Sequence, residues 1–294
     1  MLPFDSMVPL QQLARVTASL ALLTIVFGSL ERLVPLHPRR FFRKQTGVDL
    51  IYFFLNSLLP AFLLAFPTSI LATVVGRWVP ASVVGFTNEW PFWGKTLAGL
   101  VVGEVGYYWG HRLSHEWPFL WRFHSIHHSA EQMDYLVSSR GHPLDVVFGK
   151  FCSLVPIYFL GLTSQTPTGD VEFIALLAQI FGTFWNFFIH ANVRWRLGPL
   201  EWIIASPAFH HWHHTRTGPI NRNYSATLPW VDWIFGSLLL PREWPTDYGI
   251  KMPISESIIE QLTLPVFGEV VSSASSATSA DSDTESTPGP RRTS

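Results

Sequence analysis

"LIYFFLNSLLPAFLLAFPTSILATVV", residues 50–75, runs for 26 residues without a charge. As a helix rising about 1.5 Å per residue it would measure about 39 Å, more than a hydrocarbon core of about 30 Å requires. The stretch therefore reads as a membrane span. Asn56, Pro60 and Pro67 interrupt it, which predicts a kinked or tilted course. Residues 16–30 are also uncharged and read as a second span. A signal peptide is the other reading of that segment, but it lacks a suitably placed positive residue and a small-residue cleavage motif. Further spans are expected at 96–110, 146–162 and 173–189, the last two alternatively forming a hairpin that dips into the bilayer. The expected fold is all-α: a polytopic membrane helix bundle of about four to five spanning or re-entrant helices.

Composition agrees with this reading. Of 294 residues 48% are apolar and only 14% charged, against about 25% charged in soluble domains. The formal net charge of -1 gives no electrostatic case for nucleic acid as a partner. One cysteine, Cys152, excludes disulfides and thiolate-rich metal clusters within a single chain. Between the first two spans, Arg32, Arg39, Arg40, Arg43 and Lys44 face a single acid, Glu31. The connector 163–170 has no positive residue. The positive-inside rule then puts the 32–44 loop in the cytoplasm, and with it the loops 113–145 and 191–240.

Those two loops and the helix ends feeding them hold every histidine except His37. Glu104, Tyr108, His111 and His115 are spaced i, i+4, i+7, i+11, one narrow stripe of a helix. His124, His127 and His128 in "FHSIHH" are spaced i, i+3, i+4, and His210, His213 and His214 in "FHHWHH" repeat that spacing. With His142 and His190 the candidate metal ligands number ten. One metal takes four to six ligands, so the set suits two metals, and imidazole donors are compatible with zinc, copper, iron or nickel. His211 falls about 60° outside the arc of its three neighbours and is expected to pack or hydrogen-bond at the rim. Glu104, Tyr108 and Asp232 are candidates for orienting the ligands. Glu104 could instead pair with Arg112, and Asp232 could cap a turn. Phe181, Phe184 and Phe188 line either a lateral route for a lipid or a lipid-facing surface.

The segments "YYWGHRLSHEWPFLWRFHSIHHS", "SSRGHP", "FIHANVRW", "SPAFHHWHH" and "NYSATLPWVDWIFG" resemble the fatty acid hydroxylase/sterol desaturase superfamily, over about half the chain. The resemblance implies a membrane bundle with a cytosolic His-rich cap, two iron ions and O2-dependent hydroxylation or desaturation of a lipid. By position it assigns His111, His115, His124, His127, His128, His210, His213 and His214 to the ligand boxes, with His142 and His190 as additional ligands. It further implies a separate electron donor of cytochrome b5 or ferredoxin type with its reductase. The membrane would be the endoplasmic reticulum in a eukaryote and the cytoplasmic membrane in a bacterium. Arg194 stands where acyl hydroxylases of ceramides carry another histidine, which favours the sterol-desaturase-like branch. Ether-lipid cleavage, carotenoid hydroxylation and a non-catalytic metal- or lipid-binding protein are the alternatives. The expected organisation is N-terminal membrane helices over 1–95, a His-box domain over 96–245, a C-terminal extension over 246–271 and a disordered tail over 272–294.

Overall fold

The structure, a computed structural model, describes residues 4–38, 43–162, 169–252 and 254–268, without side chains for 4–9 and 169–179. Arg39, Arg40, the 163–168 part of the connector and the expected tail lie outside the described residues. Among those described, regular structure is helical, with two isolated β-bridges, Pro35 to Val193 and Thr215 to Tyr248.

Five long helices form the body: α1 (Phe4–Leu33), α2 (Thr46–Trp78), α4 (Phe92–Glu116), α6 (Pro143–Phe159) and α7 (Gly169–His190). A short α3 (Ala81–Asn88) follows α2. The expected spans 16–30, 50–75, 96–110 and 173–189 each fall in one of the long helices, whereas 146–162 runs three residues past the end of α6 at Phe159. Leu10–Leu33 and Thr46–Trp78 are long and apolar enough to cross a membrane, and only 11% of each one's most apolar window is buried. Phe62 and Phe66 are 78% and 73% exposed. A soluble core helix would hide such residues, so these helices present their apolar faces outward to a lipid environment. Helix α2 runs unbroken through Pro60 and Pro67. Beside Pro67 the Thr68 and Ser69 hydroxyls donate back to the Leu64 and Phe66 carbonyls at 2.7 Å, supplementing the turn the proline weakens.

Helices α4 and α6 pack at close range on a stripe of glycines. A β-carbon at Gly110 would lie 2.7 Å from the Cys152 β-carbon, and one at Gly103 would lie 3.0 Å from the Ser153 hydroxyl. At Gly106 it would meet the Cys152 carbonyl. Small residues let membrane helices approach backbone to backbone, where dispersion replaces the hydrophobic drive. Helices α1, α2 and α7 meet around Leu23, Phe27, Phe53, Phe187 and Phe188.

Short helices close one end of this body: α5 (Pro118–His128), α8 (Pro207–His213), α9 (Pro229–Ile234) and α10 (Ile258–Phe267). Each of α5, α8 and α9 has proline in its first turn, where the missing N–H costs nothing. A 3-10 turn, Tyr135–Ser139, is clamped to α2 by buried ion pairs. Arg140 Nε lies 2.6 Å from Asp49, and Arg43 bridges Asp49 and Asp134. Two guanidinium groups against two carboxylates neutralise one another, the condition for burying charge.

Candidate metal centre

Helix α4 delivers His111 and His115 from its last two turns, and α5 begins two residues after it ends. Helix α7 ends on His190, and α8 carries His210 and His213 with His214 at its C-cap. Nine imidazoles from these four helices converge in two groups. His111, His115, His124, His128 and His213 form one, and His127, His190, His210 and His214 the other; within each, the ligand atoms lie within 4.8 Å of one another. The spacing explains the partition. On α5 the i, i+4 pair His124 and His128 enters one group while His127 enters the second. On α8 the pair His210 and His214 enters the second while His213 enters the first. The groups abut, with the His128 and His214 rings stacked at 4.4 Å.

Hydrogen bonds at Nδ1 decide which nitrogen faces inward. His111 donates to the Tyr224 carbonyl at 2.6 Å, His127 to Arg140 at 2.8 Å, His190 to Asn186 at 2.7 Å and His213 to Arg222 at 2.8 Å. His124 meets the Asp145 carboxylate at 2.9 Å and His115 the Asn221 side-chain oxygen at 3.3 Å. An oxygen that only accepts requires the proton on Nδ1, which leaves Nε2 a bare lone pair. These lone pairs nonetheless point at each other. His124 Nε2 lies 3.1 Å from Nε2 of His111, His115 and His128. His190 Nε2 lies 2.9 Å from that of His210 and 3.4 Å from that of His127. Where both rings carry their proton on Nδ1, as for His124 against His111 and His115 and for His190 against His127, such contacts repel unless a cation sits among them. Nitrogens bound at about 2.0–2.1 Å and at right angles around one metal lie about 3 Å apart. The donor set therefore fits two metal ions.

Electrostatics agree. Burial first, then the neighbouring His124, pushes the His127 imidazole down to about 4. Burial and adjacent imidazoles hold His128, His210, His213 and His214 well below the ordinary histidine value. They are uncharged at neutral pH and able to ligate.

Two histidines stand apart. His142, expected among the ligands, instead caps α6: its Nδ1 accepts from Leu144 N–H at 3.1 Å and its Nε2 donates to the Leu262 carbonyl at 3.1 Å. With both nitrogens engaged, it belongs to neither group. His211 is also outside both, fully buried rather than at a rim, between the Tyr248 hydroxyl at 3.0 Å and the Ala191 carbonyl at 3.1 Å. Burial pushes it down to about 3, against the raising effect of its Ala191 bond.

Among the described residues, Glu104, Tyr108 and Asp232 make no hydrogen bond to a histidine. Glu104 accepts from the backbone of Thr227 at 2.7 Å and Leu228 at 3.2 Å, while Arg112 pairs with Glu116. Asp232 accepts from Tyr224 N–H at 2.7 Å, Ser225 N–H at 2.9 Å, and the Ser225 and Ser237 hydroxyls. Tyr108 meets the Ser237 hydroxyl at 2.7 Å. All three brace the 221–228 loop, whose Arg222 and Tyr224 carbonyls hold His213 and His111. Asn221 and Asn223 take positive φ of 60° and 59°, a conformation asparagine tolerates better than most residues. The direct partners, Asp145, Asn221 and four carbonyls, escaped the sequence reading, because no spacing connects Asp145 to a histidine 21 residues earlier. Of the suspected lining aromatics, Phe181 and Phe184 are 49% and 38% exposed, whereas Phe188 is in the core.

Residues 96–237 match the family described as fatty acid hydroxylase. The chain is 33% identical over 180 residues to the ornithine lipid hydroxylase OlsE of Rhizobium tropici, covering 60% of this chain and 52% of that protein. It is 31% identical over 170 residues to the alkylglycerol monooxygenase of Xenopus tropicalis, covering 57% and 34%. It is 26% identical over 153 residues to methylsterol monooxygenase 2-2 of Arabidopsis thaliana, covering 50% and 54%. The chain thus spans between a third and about half of the length of these relatives. No solved structure matches it.

Proposed function

We propose, from the premise that the chain belongs through residues 96–237 to the fatty acid hydroxylase superfamily, that it is an O2-dependent di-iron hydroxylase of a membrane lipid. The convergence of nine imidazoles into two abutting groups carries this reading. His111, His115, His124, His128 and His213 would hold one iron, and His127, His190, His210 and His214 the other.

Two ferrous ions supply O2 activation and the oxidising power to hydroxylate an unactivated C–H bond, with two electrons and two protons from outside reducing the second oxygen atom to water. The chain's own residues prepare for this. The Nδ1 partners of His111, His115, His124, His127, His190 and His213 hold those six rings in one tautomer and orientation, so their Nε2 atoms need no rearrangement to bind. Burial keeps bulk water from the centre, which limits loss of reactive oxygen species. Neutral donors leave more positive charge on the metals than carboxylate ligands would. Electrons come from a separate donor of cytochrome b5 or ferredoxin type, and the lipid from the surrounding bilayer. Helices α1, α2, α4, α6 and α7 serve as the membrane-embedded elements, with the metal cap on the cytoplasmic side.

The test pairs elemental analysis of chelator-free protein with O2 uptake and mass spectrometry of lipids from cells with and without the gene. Two irons per chain and a lipid that gains one oxygen atom are expected. A single tightly bound metal, full activity with zinc alone, or O2 uptake unaffected by any membrane lipid would refute the proposal.

A further inference from the structure

Helix α10 is built inside out. Its buried positions are Gln261, 4% exposed, and Pro265; the Gln261 amide donates to the Ser255 carbonyl at 2.7 Å. Facing outward are Ile259 at 70%, Leu264 at 54% and Phe267 at 85% exposure. At about 100° per residue, Ile259, Thr263 and Phe267 lie within one arc of about 80°. A helix against water would turn this face inward.

Three bonds fix where α10 sits. Lys44, two residues before α2 begins, pairs with Glu256 at 2.5 Å, just before the α10 N-cap Ser257. The start of α10 is therefore level with the end of α2 at which the metal cap lies. The Leu262 carbonyl accepts from His142 at 3.1 Å, and the Pro265 carbonyl from Arg122. These bonds tie α10 to the first turn of α6 and to α5. Between α5 and α6 runs an apolar groove of about 180 Å³ lined by Phe119, Phe123, Leu144 and Phe148. Phe119 and Leu144, 47% and 44% exposed, extend the outward apolar surface beside α10.

We infer that α10 is an in-plane membrane helix, seated in the leaflet on the metal-cap side with its outward face among lipid acyl chains. The bilayer is the occupant because this face begins at the level where α2 meets the membrane and continues the apolar exterior of the spans. Its single charge, Glu260, is seven residues and about 10 Å before Phe267. The helix is thus tilted, with Glu260 among headgroups and Phe267 deepest. His142 is the positioning residue that couples this lipid-bound helix to the cap. The inference does not depend on the reaction chemistry.

The test uses the full, metal-loaded chain in phosphatidylcholine/phosphatidylglycerol vesicles and a Cys152→Ser background. An environment-sensitive fluorophore is attached at Ile259→Cys, Phe267→Cys or, as the aqueous reference, Glu131→Cys. Lipids spin-labelled on the acyl chain should quench positions 259 and 267 strongly, with aqueous iodide several-fold less effective there than at 131. Position 267 should report the greater depth. Equal iodide quenching at all three sites would overturn the inference, as would protection of 259 and 267 from both quenchers, the result for a face covered by a second copy. Metal content of each labelled protein verifies folding, so neither result depends on turnover.

Discussion

A histidine's role here is set by which of its nitrogens is occupied. His210 has Nε2 directed at His190 and His214, whereas His211, one residue on, has both nitrogens bound to non-metal partners. His210→Gln is expected to lose a metal and all turnover. His211→Gln can still donate to the Ala191 carbonyl, so it should retain both metals at a stability cost of about 1 kcal/mol. Metal stoichiometry at equal folded protein separates them, and loss of metal from His211→Gln alone would reverse the assignment. His142→Gln should likewise keep both metals, since neither of its nitrogens is free to ligate; a missing metal there would restore the ten-ligand set. Asp145→Asn tests the orienting carboxylate of His124. With shape kept and charge removed, a loss of about 10–100-fold in metal affinity or activity is expected. An unchanged metal titration and rate would show that the His124 ring is held by packing alone.

At the scale of elements, the metal centre depends on the α4–α6 contact, because α4 carries His111 and His115 while α6 carries Asp145. Gly110 allows that contact, with the Cys152 β-carbon where its own side chain would have to go. Gly110→Val should overpack the interface and cost about 1–3 kcal/mol or more. Gly99, on the same helix with open space around it, provides the control. Gly99→Ala should be neutral or stabilising by up to about 1 kcal/mol. Thermal unfolding in one detergent compares the two, and equal melting temperatures would mean the helices separate without strain. The ion pairs of Arg43, Asp49, Asp134 and Arg140 act over a longer reach. They tie α2 to the turn whose Arg140 carbonyl orients His127, so a span reaches the second metal group through one buried guanidinium.

For the whole molecule the question is which way it faces. Cys152, packed against Gly110 in α6, should label poorly with impermeant maleimides from either side. In a Cys152→Ser background, Glu131→Cys sits beside the His-bearing helices on a side chain that is 72% exposed. Under the proposed orientation, drawn from the five positive residues between the first two expected spans, it should label from the cytoplasm only. Labelling from the opposite side would invert the orientation and move the metal centre across the membrane.

Periodicity and composition carry a good deal of this protein. Uncharged length marked α2 as a helix long and apolar enough to cross a membrane before any contact was known, and the i, i+3, i+4 repeat marked three imidazoles on each of α5 and α8 that gather in the histidine groups, with His211 outside them. Those signals are local, fixed by the rise and turn of a helix. The sequence did not disclose that each repeat divides its histidines between two sites, because that needs the facing helix. Nor did it disclose that His142 turns away, since a capping histidine and a ligating one look alike until both partners of the ring are seen. The orienting groups were hidden for the same reason. Backbone carbonyls carry no residue identity, and Asp145 reaches His124 only after α4 and α6 close upon their glycines. Helix geometry determined which imidazoles share a face; tertiary contact alone determined which nitrogen of each is free, and so which of them can hold a metal.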